Sequence, residues 1–379
     1  MKILFIIFAF ANVHAANVEI VQSVPLETML AAPGIRHAQE VWLEMIGAAK
    51  STLDLEQFYV SDKKGEALEP VLRAIEDAAR RGVRVRLLAD TKFYKNYPES
   101  IDRIGKTRNC EARLVDGKVF GGGVQHAKFF IVDGMNSFVG SHNFDWRALS
   151  HIHEIGVRVN DIKVASDLKA IFEKDWNSGR PVGGLQNVEV IKDLKDAVTA
   201  TETAAPGVEA TVVAAPLAAN PHGIMYSGTA IVDLMSTAGK TLHIQVMEYS
   251  TKDSWNLLDS AIRAAAGRGV KVRLLIDVAK LKNARKELEA LAAQPGITVR
   301  TAKIPPWSGG VIDYARLIHS KYLVVDGAAA WVGTENWSKD YFTRSRDVGI
   351  VIRAKDAAVR LDGVFERIWQ SKYVQDLKP

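Results

Sequence analysis

The chain has 379 residues, of which 47% are hydrophobic and 25% are charged, and 49 Lys and Arg against 44 Asp and Glu give a formal net charge of +5. This balance is typical of a folded globular protein and excludes low-complexity disorder, collagen-like repeats and a polytopic membrane protein. At roughly 100–200 residues per domain, the length indicates two domains. The single cysteine, Cys110, excludes an intramolecular disulfide and a cysteine-based zinc site.

The first fifteen residues have the features of a secretory signal peptide. Lysine follows the initial methionine, an apolar run extends from Ile3 to Ala11, and Val13 and Ala15 place small residues where a signal peptidase cleaves. The run is too short to span a bilayer, which takes roughly 18 residues or more. A buried N-terminal strand or a retained anchor is the alternative. We expect residues 1–15 to be removed and the mature protein to be secreted or periplasmic.

Downstream of this segment the chain contains an internal repeat. A predicted strand is followed by a helical stretch and a second strand, and the same order recurs later, the matching segments being 52–59 with 241–248 and Arg81–Asp90 with Arg268–Asp277. Gly82 and Gly269 are expected to end the helices, because glycine readily adopts the left-handed conformation found after a helix. Strands that alternate with helices predict α/β units.

We therefore expect two similar α/β lobes, residues 16–195 and 222–379, each a mixed, mainly parallel sheet flanked by helices. Residues 196–221 between them are rich in Ala, Thr and Val, and they include Pro206 and Pro216. The segment has neither helical nor strand periodicity, which predicts a connector laid over the surface.

The second part of each repeat carries the chemically active residues. The first copy contains His126, Lys128, Asp133, Ser141, Asn143 and Glu154, and the second contains His319, Lys321, Asp326, Thr334, Asn336 and Asp347. Each residue of the second copy stands 193 positions after its counterpart, as in 319 − 126 = 193. Packing alone does not explain repeated His, Lys and Asn, which are mostly surface residues. The apolar runs and turns between them predict a β-hairpin in each copy.

These residue types suit a phosphate group. Alternation along the strands places an imidazole, an ammonium, a hydroxyl (Ser141 or Thr334) and a carboxamide on one face of each hairpin. Lys and Asn donate hydrogen bonds to phosphate oxygens without repelling them. Two such faces meeting across a pseudo-twofold axis would place His126 and His319 on either side of one phosphorus atom. One histidine could then attack as a nucleophile while the other, protonated, donates to the leaving oxygen.

Other residues near the motifs have supporting roles in this hypothesis. Glu154 and Asp347 are expected to accept hydrogen bonds from the imidazoles and fix their tautomers. Asp133 and Asp326, at the hairpin ends, are expected to form salt bridges or cap turns rather than take part in catalysis. Aromatic residues cluster around both motifs and either contact substrate or belong to the core, namely Trp146, Trp331, Trp337 and Tyr341. We predict substrate contacts for Ser141, Thr334, Trp146 and Trp337.

The doubled pattern, His-x-Lys-x4-Asp followed by Gly-[Ser/Thr]-x-Asn, resembles the signature of the phospholipase D superfamily over nearly the whole mature chain. The sequences around the two motifs are similar to the animal lysosomal branch of 5′-exonucleases and the related poxvirus envelope phospholipase. The resemblance implies two lobes side by side, related by a pseudo-twofold axis, with the site in the cleft between them and a metal-independent phosphohistidine mechanism. It implies catalytic roles for the set His126, Lys128, Asn143, Glu154, His319, Lys321, Asn336 and Asp347. It also favours His126 as the nucleophile and His319 as the acid.

The predicted function is therefore that of an exported phosphodiesterase that uses no cofactor. A metal is not expected, because each repeated histidine is paired with a lysine, which repels cations. Phospholipid head groups rank slightly ahead as substrate because of the secretory context, and single-stranded DNA or RNA cut from the 5′ end is the alternative that the branch resemblance favours. A catalytically inactive lipid- or nucleic-acid-binding protein is the third hypothesis. One chain supplies both half-sites, so a monomer suffices, and peripheral contact with a membrane surface is compatible with all three.

Overall fold

The computed structural model describes residues 17–182 and 209–377. The predicted signal peptide and most of the predicted connector lie outside these residues. Within them, no helix combines the length and the apolar character that crossing a bilayer requires.

The first lobe contains eleven strands and six α-helices among its described residues. The strands are β1 (Asn17–Ser23), β2 (Arg36–His37), β3 (Thr52–Gln57), β4 (Val60–Ser61), β5 (Arg84–Asp90), β6 (Cys110–Val115), β7 (Phe129–Val132), β8 (Asn136–Gly140), β9 (Phe144–Asp145), β10 (Glu154–Asn160) and β11 (Arg180–Pro181). The helices are α1 (Ala38–Gly47), α2 (Glu69–Arg80), α3 (Thr91–Tyr94), α4 (Glu99–Gly105), α5 (Trp146–Ser150) and α6 (Ile162–Ser178), and a 3₁₀ turn covers Gly117–Phe120.

The second lobe repeats this order. Its described strands are β12 (Ala210–Ala215), β13 (Met225–Tyr226), β14 (Thr241–Val246), β15 (Lys271–Asp277), β16 (Ile297–Ala302), β17 (Tyr322–Val325), β18 (Ala329–Gly333), β19 (Asp347–Ile352) and β20 (Val374–Asp376). The helices are α7 (Ser227–Ser236), α8 (Leu257–Gly267), α9 (Val278–Ala292), α10 (Lys339–Thr343) and α11 (Lys355–Trp369), with 3₁₀ turns at Leu217–Ala219 and Lys252–Ser254.

Each lobe is built on a nine-stranded sheet, with strand orders β11-β6-β5-β3-β7-β8-β10-β1-β2 and β13-β12-β19-β18-β17-β14-β15-β16-β20 in the described residues. The predicted α/β lobes with mixed sheets are confirmed. Parallel pairing joins β3, β5 and β6 in one lobe and β14, β15 and β16 in the other. Antiparallel pairing extends further than the expected mainly parallel arrangement, because each hairpin and the first strand of each lobe join the sheet antiparallel.

The expectation of a surface connector over residues 196–221 is wrong for its C-terminal part. Residues 210–215 form β12, which pairs antiparallel with β19 from Ala210 opposite Ile352 to Ala215 opposite Asp347. The strand is almost wholly buried, so it is apolar on both faces and lacks the alternation expected of a half-exposed strand. It is the counterpart of β1, since residue 17 plus the repeat distance of 193 gives residue 210.

The two lobes share one apolar core. Buried side chains from both sheets form a single cluster that includes Phe129 and Val157 of the first lobe and Tyr322, Val348 and Phe365 of the second. Two further clusters lie under the outer helices, one within each lobe. Helix α6 packs on β12 and α11 packs on β1, so each lobe covers part of the other's sheet. Each large apolar side chain that the interface buries stabilises it by roughly 1.5–3 kcal/mol, which fixes how the lobes face each other.

Candidate active site

The two predicted hairpins are present and support the site. Strand β7 pairs with β8, and β17 pairs with β18. At the tip of each hairpin an aspartate has left-handed backbone, with φ of 52° at Asp133 and 53° at Asp326. The Asp133 carboxylate accepts hydrogen bonds from three successive backbone N–H groups at the start of β3, and the Asp326 carboxylate does the same before β14. Both aspartates therefore hold the hairpin to the neighbouring strand.

A repeated glycine in each lobe lets an aromatic ring of the hairpin pack against the neighbouring strand. A Cβ atom on Gly156 would lie 2.3 Å from the ring of Phe138, and one on Gly349 would lie 2.3 Å from the indole of Trp331. The ring on each hairpin therefore packs directly on the backbone of the strand that begins with Glu154 or Asp347. The fixed spacing of these glycines has a packing reason.

The histidines are held by the backbone of the opposite lobe. The N–H of His126 donates to the carbonyl of Arg346 at 2.8 Å, and the N–H of His319 donates to the carbonyl of His153 at 2.9 Å. Because 346 − 153 is again 193, the same contact runs in both directions across the interface. Both motifs therefore meet at the junction of the lobes.

Each imidazole pairs with a carboxylate of the other lobe. The Nδ1 atom of His126 lies 2.7 Å from Oδ1 of Asp347, and Nδ1 of His319 lies 2.9 Å from Oε1 of Glu154. A carboxylate accepts, so each Nδ1 carries the hydrogen and each Nε2 is left as the basic nitrogen. The pairing is crossed, and neither lobe holds a complete imidazole–carboxylate pair by itself.

Ser141 and Thr334 have a different role from the predicted substrate contact. Both side chains are fully buried. The Ser141 hydroxyl donates to Oε2 of Glu154 at 2.5 Å, and the Thr334 hydroxyl donates to Oδ1 of Asp347 at 2.7 Å. Each hydroxyl thus fixes the carboxylate that in turn fixes the imidazole of the opposite lobe. We correct their assignment from substrate binding to positioning of the carboxylates.

The lysines and asparagines of both motifs are buried beside the histidines. Lys128 donates to the backbone carbonyl of His126, whereas the ammonium of Lys321 is buried without a hydrogen-bond partner among the described residues. Asn143 and Asn336 are also buried, and the Oδ1 of each lacks a partner in the described part of the chain. Burying an ammonium without a hydrogen-bond acceptor is costly, so this arrangement suits an anion that arrives with the substrate.

Burial shifts the titration of every ionisable group in this cluster. Burial lowers the pKa of His126 and of His319 well below 6.5, and the ammonium groups of Lys128 and Lys321 lower both further. The pKa of Lys321 falls to about 8 for the same reason. Burial raises the pKa of Glu154 to about 7. These shifts favour the neutral form of each imidazole while the site holds no anion, and a bound phosphate would favour the imidazolium and ammonium forms.

The residue between the motif hydroxyl and the motif asparagine differs between the two copies. Between Thr334 and Asn336 lies Glu335, a buried carboxyl that accepts from the N–H of Thr334 at 3.0 Å and whose pKa burial raises to about 7. The equivalent residue of the first copy is His142, which bonds Ser23 at 3.1 Å and whose pKa burial lowers to about 3. The motif does not specify this position, so the pattern of repeated residues does not indicate it.

The aromatic predictions have mixed outcomes. Trp337 is 0% exposed and lies in the core of the second lobe with Trp331, so its assignment to substrate binding is wrong. Its position after Asn336 resembles a site residue in sequence, but in the loop between β18 and α10 its backbone pairs with that of Tyr249 and its ring lies in the core. Trp146 is partly exposed, and the ammonium of Lys63 lies 4.5 Å from its ring centre. Its contact with substrate stays a prediction.

Two other aromatic rings enclose His126. The ring centre of Phe58 lies 4.9 Å from that of His126, and the ring centre of Tyr341 lies 4.8 Å away on the other lobe. Phe58 directly follows β3 and belongs to neither motif, so nothing in the sequence pattern indicates it. The described residues contain no cluster of three or more His, Cys, Asp or Glu arranged to hold a metal ion. The metal-free mechanism stays a prediction.

The fold and the doubled motif define a family. Residues 42–176 and 231–369 both match the family described as "Cardiolipin synthase, PLD-like domain". The chain belongs to the phospholipase D superfamily, as the sequence predicted.

Relatives of known name place the chain within that superfamily. It is 30% identical over 381 residues to a probable phospholipase D from Caenorhabditis elegans, covering 90% of this chain and 67% of that protein. It is 28% identical over 410 residues to the 5′-3′ exonuclease PLD4 from Mus musculus, covering 96% and 80%. These similarities confirm the predicted branch.

A solved structure shows the same fold. Phosphatidylserine synthase from Haemophilus influenzae superposes with a TM-score of 0.64 at 15% identity, covering 89% of this chain and 84% of that one. At this identity the likeness concerns the arrangement of the two lobes alone.

Proposed function

We propose that this protein is an exported phosphodiesterase that cleaves its substrate through a covalent phosphohistidine. The crossed pairs His126–Asp347 and His319–Glu154 carry the proposal, because they present two Nε2 atoms of fixed tautomer at one junction between the lobes. Buried Lys128, Lys321 and the two motif asparagines supply donors for the non-bridging oxygens of one phosphate.

The reaction follows from this arrangement in two steps. In the first, Nε2 of His126 forms a bond to phosphorus while the bond to the leaving oxygen breaks and that oxygen takes the proton of His319. In the second, water gives its proton to Nε2 of His319, its oxygen bonds phosphorus, and the bond from phosphorus to His126 breaks. An alcohol in place of water would give transfer instead of hydrolysis. Asp347 and Glu154 stabilise the charged imidazoles in turn.

The groups around the two histidines do not distinguish one class of phosphodiester substrate from another. Relatives bear the names phospholipase D and 5′-3′ exonuclease, so both classes considered from the sequence have named representatives. Phospholipid head groups and single-stranded nucleic acid both present the same diester to the histidines. The reaction is therefore proposed for a phosphodiester in general.

The experiment uses bis(p-nitrophenyl) phosphate, a small diester that needs no recognition beyond the phosphate. The wild type should release p-nitrophenol in excess EDTA, and His126→Ala and His319→Ala should each lose turnover. His222→Ala is the matched control, since His222 is exposed and outside both motifs. If both motif variants retain wild-type turnover, or if EDTA abolishes activity and a divalent metal restores it, the mechanism is wrong. Folded wild type that binds lipid or oligonucleotide but turns over no diester would support the inactive binding protein.

A further inference from the structure

The two carboxylates that bond the motif imidazoles differ in how completely they are hydrogen-bonded. Both oxygens of Glu154 are engaged, since Oε1 and Oε2 lie 2.9 and 3.0 Å from Nδ1 of His319. Asp347 uses Oδ1 alone, which accepts from Nδ1 of His126 and from the hydroxyl of Thr334. Its Oδ2 is buried without a hydrogen-bond partner among the described residues. The duplicated motif therefore leaves one carboxylate oxygen unused, and only in the half that holds His126.

A second buried carboxyl is attached to the same threonine. Oε2 of Glu335 accepts from the N–H of Thr334 at 3.0 Å, while the hydroxyl of that threonine donates to Asp347 at 2.7 Å. Gly333 makes room for this side chain, because a Cβ atom there would lie 2.4 Å from Oε2 of Glu335. Oε1 of Glu335 also lacks a partner in the part of the chain that the structure describes. Two fully buried carboxyls, each with an unpartnered oxygen, are thus held by one residue.

The equivalent position of the first copy holds a neutral imidazole instead. His142 bonds Ser23, and its ring packs edge-on against Trp42 and Phe138 with ring centres 5.6 and 5.7 Å apart. Burial lowers the pKa of His142 to about 3, so the ring carries no charge near neutral pH. Glu154 therefore has no second carboxyl at this position. The two halves of the site differ in negative charge although their motif residues match.

Two carboxyls that share a buried site hold a proton more tightly than one alone, because ionising both places like charges together. Burial and then the charge of Glu335 raise the pKa of Asp347 well above 3.8, and burial raises the pKa of Glu335 to about 7. The ammonium groups of Lys128 and Lys321 lower the pKa of Asp347, and Lys128 also lowers that of Glu335. The other titratable groups that face the two carboxyls are His126, Tyr226 and Tyr341.

We propose that Glu335 is a positioning residue that acts through Asp347 and sets the lower end of the pH range in which His126 attacks phosphorus. This role rests on the proposed function, since it concerns the nucleophile of that reaction. As the pH falls, the His126–Asp347 pair takes up a proton, and a carboxylate at Glu335 stabilises the protonated pair. Uptake then occurs at a higher pH than it would beside a neutral residue. The protonated pair no longer provides both a free Nε2 and an ionised Asp347, so Glu335 confines the reaction to pH values nearer neutral.

The test uses Glu335→Gln, which keeps the size of the side chain and an acceptor for the N–H of Thr334 but removes the charge. The kcat/KM for bis(p-nitrophenyl) phosphate is measured from about pH 4 to about pH 9, with each reaction stopped in alkali before p-nitrophenol is read. The midpoint of the acid limb should fall by about one pH unit. At one unit below the wild-type midpoint, the variant should keep about half of its plateau kcat/KM, against about a tenth for the wild type. The alkaline limb, which belongs to the His319–Glu154 pair, should not move.

Two further variants serve as controls for charge and for packing. Glu248→Gln removes a carboxylate of the same lobe that faces Lys321 and lies 3.3 Å from the ammonium of Lys280, and its acid limb should keep the wild-type midpoint. Glu335→Asp shortens the side chain but keeps the charge, so its acid limb should lie closer to that of the wild type than the limb of Glu335→Gln does.

The outcomes separate the role of Glu335 from the function beneath it. An unmoved acid limb in Glu335→Gln, an equal shift in Glu248→Gln, or a loss of the same size at every pH would overturn the role while the phosphodiesterase stands. If turnover of Glu335→Gln is too low to fit, urea denaturation at pH 5 and pH 7 replaces it. The wild type should then lose more stability than the variant as the pH rises, because a carboxyl of raised pKa stabilises the fold only while it holds its proton. Equal losses would overturn the role, and a wild type that cleaves no diester would remove the proposed function together with it.

Discussion

The residues that bond the imidazoles of His126 and His319 directly are matched between the two lobes, whereas residues one layer further from the imidazoles differ. Each ring bonds a carboxylate of the other lobe, and each carboxylate is held by a hydroxyl thirteen residues earlier in the chain. Behind them, the residue before Asp347 is Arg346, whereas the residue before Glu154 is His153. The groups that we propose act on the phosphate are duplicated, and groups one layer away have diverged. This contrast fits a constraint from the proposed chemistry on the layer that contacts the imidazoles.

The largest effect we expect concerns which histidine carries the phosphate. With bis(p-nitrophenyl) phosphate the leaving group needs little acid assistance, so His319→Ala should still form the adduct on His126 and fail to hydrolyse it. It should release about one equivalent of p-nitrophenol in a burst, with steady turnover reduced by about 10⁴-fold or more, and mass spectrometry at alkaline pH should find the adduct on His126. His126→Ala should give no burst. The reverse pattern would exchange the two roles.

The carboxylates should have the next largest effect, and they test the crossed pairing. Glu154→Gln and Asp347→Asn keep the shape but no longer hold the imidazolium, so each should lower kcat by about 10²- to 10⁴-fold. Because Glu154 pairs with the acid His319, its variant should lose more activity as the leaving group becomes more basic. The loss in the Asp347 variant should depend little on the leaving group. Equal dependence in both variants would contradict the division of roles between the two pairs.

Substitutions in the layer behind the site, where the two copies differ, should lower the free energy of unfolding. Arg346 is 0% exposed, bonds Asp175 through two nitrogens at 2.6 and 3.0 Å, and donates to the backbone carbonyls of Ala215 and Ala219. Arg346→Met leaves Asp175 buried and unpaired, so the free energy of unfolding should fall by about 3–5 kcal/mol, measured by urea denaturation. Arg285→Met is the control, because its pair with Glu289 is exposed and contributes about 1 kcal/mol or less. Similar losses in both would show that the buried network is not stabilising.

The pH dependence should have the smallest effect and should differ between the pairs. Burial raises the pKa of Glu154 to about 7, so the His319–Glu154 pair holds its proton below that pH and loses it as the pH rises through about 7. The acid is then absent, and kcat/KM should fall about tenfold per pH unit above it. Burial also raises the pKa of Asp347 well above 3.8, so the His126–Asp347 pair takes up a proton, and His126 is lost as the nucleophile, as the pH falls through that value. A profile that is flat between pH 6 and pH 8, or one that Glu154→Gln leaves in place, would exclude this assignment.

Much of the fold was predictable because the repeat distance is constant. The hairpins, the helix ends near Gly82 and Gly269 and the two lobes follow from local patterns that occur twice, and both glycines have positive φ, 98° and 90°. Strand β12 was missed because its burial on both faces removes alternation, although the 193-residue distance from β1 would have revealed it. Repetition is thus a stronger signal than periodicity in this chain.

The site could be predicted only as a set of residues. The motif identifies Glu154 and Asp347 but contains nothing that says which lobe's histidine each contacts, since that depends on how the lobes pack. Trp337 was misassigned because adjacency to Asn336 in sequence does not tell how the loop between β18 and α10 directs its ring. Glu335 stands at a position that the motif leaves open, so only the tertiary structure shows that its charge acts on Asp347.

The common core also limits how molecules enter and leave. Where two domains touch through a small polar surface they can swing apart, but a large apolar interface opposes such motion. Here side chains such as Phe129 and Tyr322 belong to one cluster across the interface, so separating the lobes would expose apolar surface to water. We therefore expect the lobes to keep a fixed separation during turnover, so that substrate reaches the histidines without a hinge motion of one lobe against the other.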